Sequence, residues 1–398
     1  MGRNAYCLSF FIDMKILTNI KFVQTAGIAQ ILTAFLDFVK NNKSNALEVV
    51  AVNVKNSLKP GYRKSREGNV SVVSIKTKIP GIQNVLAKSK TLKDVKKKYA
   101  GVIEAYRKAI RKEKPDLVLL NGTYYLPWCL FLASKMESVP VVLHYHGVLT
   151  VETRHWLPKY RKLFKKMEQS FDSKDVFYIF PSKITKNTVE QKIYGHKIKR
   201  FAVVPNPVPM YFFDNTAYGN KINIGIVSRW DSIKNVDFCR TLAEYNKRRG
   251  GEFVINLITD LKEGCRLYKK LSKIMKIHPV VKNDKLVDFY KNMGVVISPS
   301  HFETYGNVAK EALASGIPAV VNYNMGVSET FEKLGLREWV IDFKSPSKVY
   351  KKIKDTIGNK VRDEVREKIK VSYSPQKIFT RIIDVLESAY LSRGVVVR

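Results

Sequence analysis

Cysteine is scarce in this chain. Cys7, Cys129, Cys239 and Cys265 are scattered over 398 residues without metal-ligand spacing. That excludes a structural zinc cluster or a disulfide framework and leaves a reduced, intracellular protein as the plain reading. Long apolar runs are missing too. None approaches the ~20 residues that span a bilayer. The apolar patch in MGRNAYCLSFFID is too short for a secretory signal, so residues 1–13 read as an N-terminal extension. Acidic residues are few: 35 Asp and Glu stand against 70 Lys and Arg, a net charge of +35. Such a field implies an anionic partner, whether nucleic acid, acidic lipid or a phosphorylated substrate. A lysine-rich proteome, whose surfaces are basic by composition, is the plain alternative.

What is present is alternation. Strand-like runs and helix-like stretches follow one another as in a doubly wound α/β protein. The runs KILTNI, LEVVAVNV, VSVVSI, DLVLLNG, VVLHYHG, VFYIFPS and FAVVPNPV make a first series. INIGIVSRW, FVINLITD, the HPVV stretch, GVVISPS and PAVVN make a second. The chain exceeds the ~250–300 residues at which a single core stops growing, so two domains are expected. The turn-rich segment NPVPMYFFDNTAYGNK (206–221) is the natural boundary. The expected division is therefore 14–205 and 206–375, with a last helix in 376–398 that crosses back to the first domain.

Two stretches of the first half are strongly basic. Residues 88–114 carry Lys88, Lys90, Lys93, Lys96, Lys97, Lys98, Arg107, Lys108, Arg111 and Lys112. In WLPKYRKLFKKM, residues Trp156, Tyr160, Leu163, Phe164 and Met167 fall at helical spacing among lysines and an arginine. This pattern suits an interfacial helix on anionic lipid. It equally suits an ordinary amphipathic helix packed on its own domain.

The residues that carry chemistry lie in the second half. In HFETYGNVAKEALASGIPAVV, Glu303 and Glu311 stand eight positions apart. Glu303 belongs to a loop after the apolar run GVVISPS, and Glu311 to the helix that follows. Gly316 serves as a C-terminal cap and Pro318 as a stop. A loop at the C-terminal end of a parallel strand is where open sheets bind ligands, and free amides at a helix start face an anion. SRWDSIKN adds Arg229 and Lys234 after the first strand of the second series. A planar guanidinium fork, a compact ammonium and helix amides together can hold a diphosphate without metal. No Asp-x-Asp pair occurs in the sequence. That spacing is a common way to hold a divalent ion on a nucleotide diphosphate, and its absence fits cation-assisted chemistry.

These motifs resemble the retaining glycosyltransferases of family 4, which have the GT-B fold and are also known as glycosyl transferases group 1. The likeness runs from Met14 to the last helix. Its strongest element is SPSHFETYGNVAKEALASGIPAVV, supported by SRW…KN, KLVDFYKNMGVVISPS and VVPNPV. The resemblance implies two facing Rossmann-like domains with a nucleotide-sugar cleft between them. It implies that Glu303 binds donor-sugar hydroxyls and that the backbone of Thr304, Tyr305, Gly306 and Asn307 holds sugar and diphosphate. It gives Glu311 the ribose hydroxyls, and Arg229 and Lys234 the leaving diphosphate. Gly27 falls where a first-domain loop meets the same phosphate. The family has paired glycines there, and this chain has Ala26-Gly27. His146, at the end of VVLHYHG, falls at the family's active-site histidine. His144 is the lesser candidate.

The expected activity is metal-independent sugar transfer with retention of configuration, through front-face attack. The co-substrate is a UDP- or GDP-linked sugar, and no cofactor is expected. The acceptor is a glycan or lipid-linked molecule in polysaccharide or glycolipid synthesis, or a small soluble sugar. The expected place is cytoplasmic, with the basic first domain against an anionic membrane surface. A nucleic-acid-binding protein is the reading from another class. It calls for base-stacking aromatics or a known module, and it leaves the paired glutamates unexplained, so no nucleic acid is expected.

Overall fold

A computed structural model of the chain describes residues 13–20, 27–42, 47–214 and 222–392. Residues 1–12 of the expected extension, and Ala26, lie outside these. The first sheet holds β1 (Met14–Asn19), β2 (Leu47–Asn56), β3 (Gly61–Glu67), β4 (Val70–Thr77), β5 (Leu117–Asn121), β6 (Val141–His144), β7 (Val176–Phe180) and β8 (Phe201–Val203). Their order is β3-β4-β2-β1-β5-β6-β7-β8. The second holds β9 (Asn223–Val227), β10 (Val254–Ile258), β11 (Lys276–His278), β12 (Val295–Ser298), β13 (Ala319–Asn322) and β14 (Val340–Ile341). Its order is β11-β10-β9-β12-β13-β14.

Every pair in the second sheet is parallel. In the first sheet only β3 with β4 is antiparallel. The continuous apolar runs explain this arrangement. β5, β12 and β13 are buried along their whole length, as strands covered by helices on both faces must be. The parallel chain order reverses between β1 and β5 in the first sheet and between β9 and β12 in the second. The crevices above those reversals, at the C-terminal strand ends, are the ligand-binding positions of open parallel sheets. This is the two-domain α/β, GT-B architecture expected from the sequence.

Three strands differ from the sequence reading. The segment GYRKSRE (β3) is exposed at every position and carries no apolar periodicity, so nothing in the pattern announces it. It forms by folding back along β4 through Gly68, whose φ of +58° suits glycine. Its charged side chains blunt an otherwise open sheet edge. The HPVV strand is displaced: β11 ends at His278, because Pro279 has no amide hydrogen to continue the ladder. The two-residue β14 is too short to leave a pattern.

The basic helix Pro158–Gln169 buries Leu163, Phe164 and Met167 in the first domain's core. Trp156 and Tyr160 pack against the same cluster. The apolar stripe that suggested an interfacial helix is therefore committed to the protein's own interior. Lys159, Arg161, Lys162, Lys165 and Lys166 remain exposed around it. The helix lies against Ile82–Ala87 and Leu92–Lys98, and the Lys159 ammonium donates to the Ala87 carbonyl at 2.7 Å. The two basic stretches thus share one face. Among the described residues no helix is long and apolar enough to cross a membrane.

The last helix, Pro375–Leu391, returns to the first sheet. Phe379 meets Phe35 and Phe38 of the helix Gly27–Asn41, with ring centroids 5.6 Å apart in each pair. Ile378, Ile382, Ile383 and Leu386 are buried in the same core cluster as Ile16, Leu36 and Val39.

Candidate active site

The cations come from the loop after β9. Asp231 caps a short 3-10 turn, Ser232–Lys234, by accepting from the Ile233 amide. Asn235 then adopts a left-handed conformation (φ +57°) and starts the helix Val236–Arg248. Its side-chain amide donates to the Pro299 carbonyl at 3.1 Å. The His301 amide donates to Ile233 at 2.9 Å. These bonds fasten the cation loop to the loop after β12, where Glu303 lies. Lys234 Nζ consequently sits 3.1 Å from Glu303 Oε1, which also accepts from the Ser300 hydroxyl at 2.6 Å. A partly exposed ion pair of this kind contributes about 0–1 kcal/mol to stability. Its consequence is positional: the carboxylate and the ammonium are held as one unit. Arg229 lies on the same loop.

The signature loop is bound on both sides. The carbonyls of Glu303 and Tyr305 accept from the amides of Gly326 and Val327 at 3.1 and 2.6 Å. The Thr304 carbonyl accepts from the Ser182 and Thr185 hydroxyls of the first domain, each at 2.8 Å. The Thr304 hydroxyl donates to the His146 carbonyl at 2.9 Å. Tyr305 turns its ring inward, where its hydroxyl meets Thr330 and the buried Lys310 ammonium. Gly306 has a φ of +106°, and a Cβ there would come within 2.6 Å of Met325 Cε. Only glycine fits this entry to the helix Asn307–Ala314. The carbonyls of Glu303, Thr304 and Tyr305 are thus committed to protein partners, and the amides of the helix's first turn lack intrahelical acceptors.

Glu311 lies one turn into that helix and is buried. Burial pushes its carboxyl up to about 7, while the Tyr290 hydroxyl (3.2 Å) and neighbouring Lys310 act against the rise. Burial likewise depresses Lys310, whose ammonium also donates to the Asn206 carbonyl and lies 4.5 Å from the Tyr373 ring centroid. Lys310 thereby ties the signature helix to the interdomain segment.

Glu311 and Asn307 border a cavity of about 710 Å³ between the domains. Asn283 and Asp284 line it from the second domain, Gln30 and Thr33 from the helix that Gly27 begins. Its described walls do not include Arg229, Lys234 or Glu303. The cleft thus has two regions: a roomy one beside Glu311, and a charged one beside Lys234 and Glu303.

On the first domain, His146 follows β6, and its Nε2 is 3.2 Å from Asn121 Oδ1 at the end of β5. Asn121 in turn bonds Thr18 of β1 at 2.6 Å. Burial lowers His146 to about 4, so the imidazole is neutral near pH 7. His144 is fully enclosed below it, with ring centroids 4.0 Å apart. Among the described residues, no group of three His, Cys, Asp or Glu side chains is placed to hold a metal ion.

Sequence reasoning missed several members of this site. Ser182 and Thr185, spaced as a helix cap, had a local signal but no hint of contact with Thr304. Asn121 and Gly326 had none, and Asn206 stood out only as part of VVPNPV, without its bond to Lys310. Glu168, in the basic helix, is fully buried and accepts from the Leu149 and Thr150 amides at 2.9 Å each. Burial raises it to about 7. It anchors the short helix Leu149–Glu152 directly after His146 and Gly147.

Residues 72–210 match the family described as Glycosyltransferase Family 4, and residues 210–372 match Glycosyl transferases group 1. The chain is 23% identical over 247 residues to "Putative glycosyltransferase EpsF" of Bacillus subtilis (strain 168), covering 54% of this chain and 60% of that one. It is 28% identical over 143 residues to an "Uncharacterized 41.2 kDa protein in cps region" of Klebsiella pneumoniae, covering 34% and 37%. The chain thus spans less than two thirds of the curated relatives it matches.

Among solved structures it resembles sucrose-phosphate synthase of Thermosynechococcus elongatus, with a TM-score of 0.69 and 12% identity over 95% of this chain and 100% of that one. An α,α-trehalose 6-phosphate synthase of Burkholderia multivorans gives 0.66 and 12% over 96% and 99%. A trehalose-6-phosphate protein of E. coli bound with UDP-2-fluoro glucose gives 0.59 and 12% over 94% and 95%. Two adjoining family matches, the signature helix and the facing parallel sheets agree: the chain belongs to the family 4 glycosyltransferases of the GT-B fold.

Proposed function

We propose that this protein transfers a sugar from a nucleotide-diphospho-sugar to a glycan or lipid-linked acceptor, with retention of configuration and without a metal. The observation that carries the reading is the unit formed by Lys234 and Glu303 beside Arg229, next to the cavity that Glu311 borders. The cavity's volume suits a nucleoside, and the buried Glu311 is placed to accept from ribose hydroxyls. Arg229 and Lys234 neutralise the diphosphate as it leaves. Glu303, held by Lys234 and Ser300, orients the sugar's hydroxyls.

The departing phosphate takes the acceptor's proton on the face from which the acceptor attacks. The protein's part is positioning and charge stabilisation in a cleft that excludes water. Neutral His146 contributes a hydrogen bond rather than a charge. The exposed lysines on the helices Leu92–Lys98 and Pro158–Gln169 suit an acceptor held at an anionic membrane face. The donor is UDP- or GDP-linked. The UDP sugar in the E. coli relative supports the former.

A small phosphorylated acceptor is the second reading. It is favoured by the names of the relatives that share the fold, the sucrose-phosphate and trehalose 6-phosphate synthases. Calorimetric titration with UDP, GDP, ADP and CDP, with and without chelator, tests the donor site, alongside Glu311→Ala and a DNA duplex as charge control. One preferred nucleotide, insensitive to chelator and weakened in the variant, supports the reading. No preference, with salt-steep duplex binding, overturns it. Radiolabelled sugar transfer to anionic vesicles carrying extracted glycolipid, against transfer to hexose phosphates, then separates the two acceptors.

A further inference from the structure

Glu152 has no part in the family resemblance, yet it stands at the charged end of the cleft. It closes the short helix Leu149–Glu152, and its Oε1 turns back to accept from the Val148 amide at 3.2 Å. Gly147 makes room for it: a Cβ at that position would lie 2.6 Å from Glu152 Oε1. The segment that follows the helix touches the second domain's cation loop. Arg154 donates to the Ser232 carbonyl at 3.4 Å, and His155 lies 4.0 Å from Asp231. The carboxylate therefore stands across the domain junction from Lys234 and Arg229, whose charges act on it, as does that of Glu303. On its own side its charge acts on the buried Glu168, and Arg154 stands two positions along the chain.

A capping role alone does not account for this placement. The backbone bond at Val148 needs only one neutral acceptor, whereas a half-buried carboxylate, stripped of part of its water, is costly unless charge compensates it. The compensation here is Lys234 and Arg229, the same two cations that a diphosphate would use. Around them stand two carboxylates. Glu303 is engaged by Lys234 and Ser300, while Glu152 has no direct ion pair among the described contacts. Adding a diphosphate leaves negative charge in excess, so the carboxylate that lacks its own partner must be neutralised or displaced.

We propose that Glu152 is a counter-charge to Arg229 and Lys234: it balances them when no anion does, and it takes a proton from the solvent when a diphosphate occupies them. The inference rests on the donor-site reading above. Burial already raises Glu152, and Lys234, the Val148 amide and Arg229 oppose the rise. A diphosphate would cancel the cations' effect and add repulsion, so both changes act in the same direction. Diphosphate binding is consequently accompanied by proton uptake at Glu152 and weakens as pH rises. Glu311 and the nucleotide's own terminal phosphate also titrate near neutrality, so the effect is read as the difference between the wild type and Glu152→Gln. Glutamine keeps an acceptor for Val148 and removes only the charge.

The test is calorimetric titration of both proteins with UDP, GDP and inorganic pyrophosphate at pH 6 and pH 8. Two buffers of different ionisation enthalpy count protons, and thermal melts verify folding. The expected result is a variant that binds about tenfold more tightly than wild type at pH 8, nearly equally at pH 6, and with fewer protons taken up. Equal affinity and equal proton counts overturn the proposal. Weaker binding by the variant does so too, since it would make Glu152 a direct ligand contact. If pyrophosphate shows the Glu152 effect and no nucleotide binds, the counter-charge stands and the donor-site reading fails. If neither binds either protein, both fail.

Discussion

The Thr304 hydroxyl donates to the His146 carbonyl oxygen at 2.9 Å, so the signature loop of one domain is bonded to the backbone that carries the candidate histidine of the other. Ser182 and Thr185 return the contact through the Thr304 carbonyl. At the same point Gly326 lies so close that a Cβ would overlap that carbonyl oxygen and come within 2.5 Å of the Ser182 hydroxyl. Closure of the cleft is therefore built into this junction. Gly326→Ala should shift the protein toward an open form by about 1–3 kcal/mol, the usual cost of overpacking. Thr304→Val should do so by about 1 kcal/mol. Small-angle scattering reads both as a larger radius of gyration; an unchanged radius for Gly326→Ala would remove the junction from any account of closure.

Glu311 makes a prediction about the sugar of the nucleotide. If its carboxylate accepts from ribose hydroxyls, wild type should prefer the ribonucleotide over its 2′,3′-dideoxy analogue by about 10–100-fold, the worth of hydrogen bonds to a charged group. Glu311→Ala should lose that preference rather than bind both forms equally less well. Competition binding with the two analogues decides it.

His146 should not titrate in the working range. Burial holds its pKa at about 4, so the ring stays neutral from pH 5.5 to 8.5. Nitrogen chemical shifts of a histidine-labelled sample should be flat for His146 across that range. The exposed His196, raised chiefly by its bond to Asp172, should move. An inflection for His146 near 6.5 would restore it as a charged participant.

The buried Glu168 makes stability depend on pH in an uncommon direction. Its folded value of about 7 lies above the ordinary carboxyl value, so the folded protein holds this proton more tightly than the unfolded chain does. The contribution is present in full below about pH 4.5 and is lost as pH rises through 7, by up to about 3 kcal/mol. Glu168→Gln leaves one amide of the Leu149–Glu152 helix without an acceptor and should lower stability at pH 5. It should also flatten the fall between pH 5 and pH 8. Urea melts at both values measure the difference, and parallel slopes would contradict the assignment.

The sequence conveyed the parts of this molecule that repeat a simple physical rule. Buried parallel strands are apolar runs, so most strands could be read directly. Gly306 and Gly316 marked the ends of the signature helix because only their backbones permit the turns. Arg229, Lys234, Glu303 and Glu311 were legible because they belong to one contiguous motif and one short loop. What could not be read was pairing across the cleft. Ser182 and Thr304 are 122 positions apart, and no local pattern records which hydroxyl will meet which carbonyl. Glu152 and Glu168 were hidden for another reason: in a basic stretch an acid reads as a solvated charge until burial is known. The lysine-rich helix left two readings open, because Leu163, Phe164 and Met167 at helical spacing look the same whether they face lipid or their own core.

The return of the helix Pro375–Leu391 to the helix Gly27–Asn41 has a consequence for how the chain matures during synthesis. Phe35 and Phe38 meet Phe379, a partner more than three hundred residues later, and Ile16, Leu36 and Val39 share its core cluster. A ribosome that has produced the whole first sheet has still not supplied the last piece of its interior. Until residues 375–391 emerge, the helix Gly27–Asn41 presents aromatic surface to solvent, a vulnerable interval for misassociation. The second domain is thus not an appendage added to a finished first one, and vectorial folding of this protein closes only when its last helix arrives.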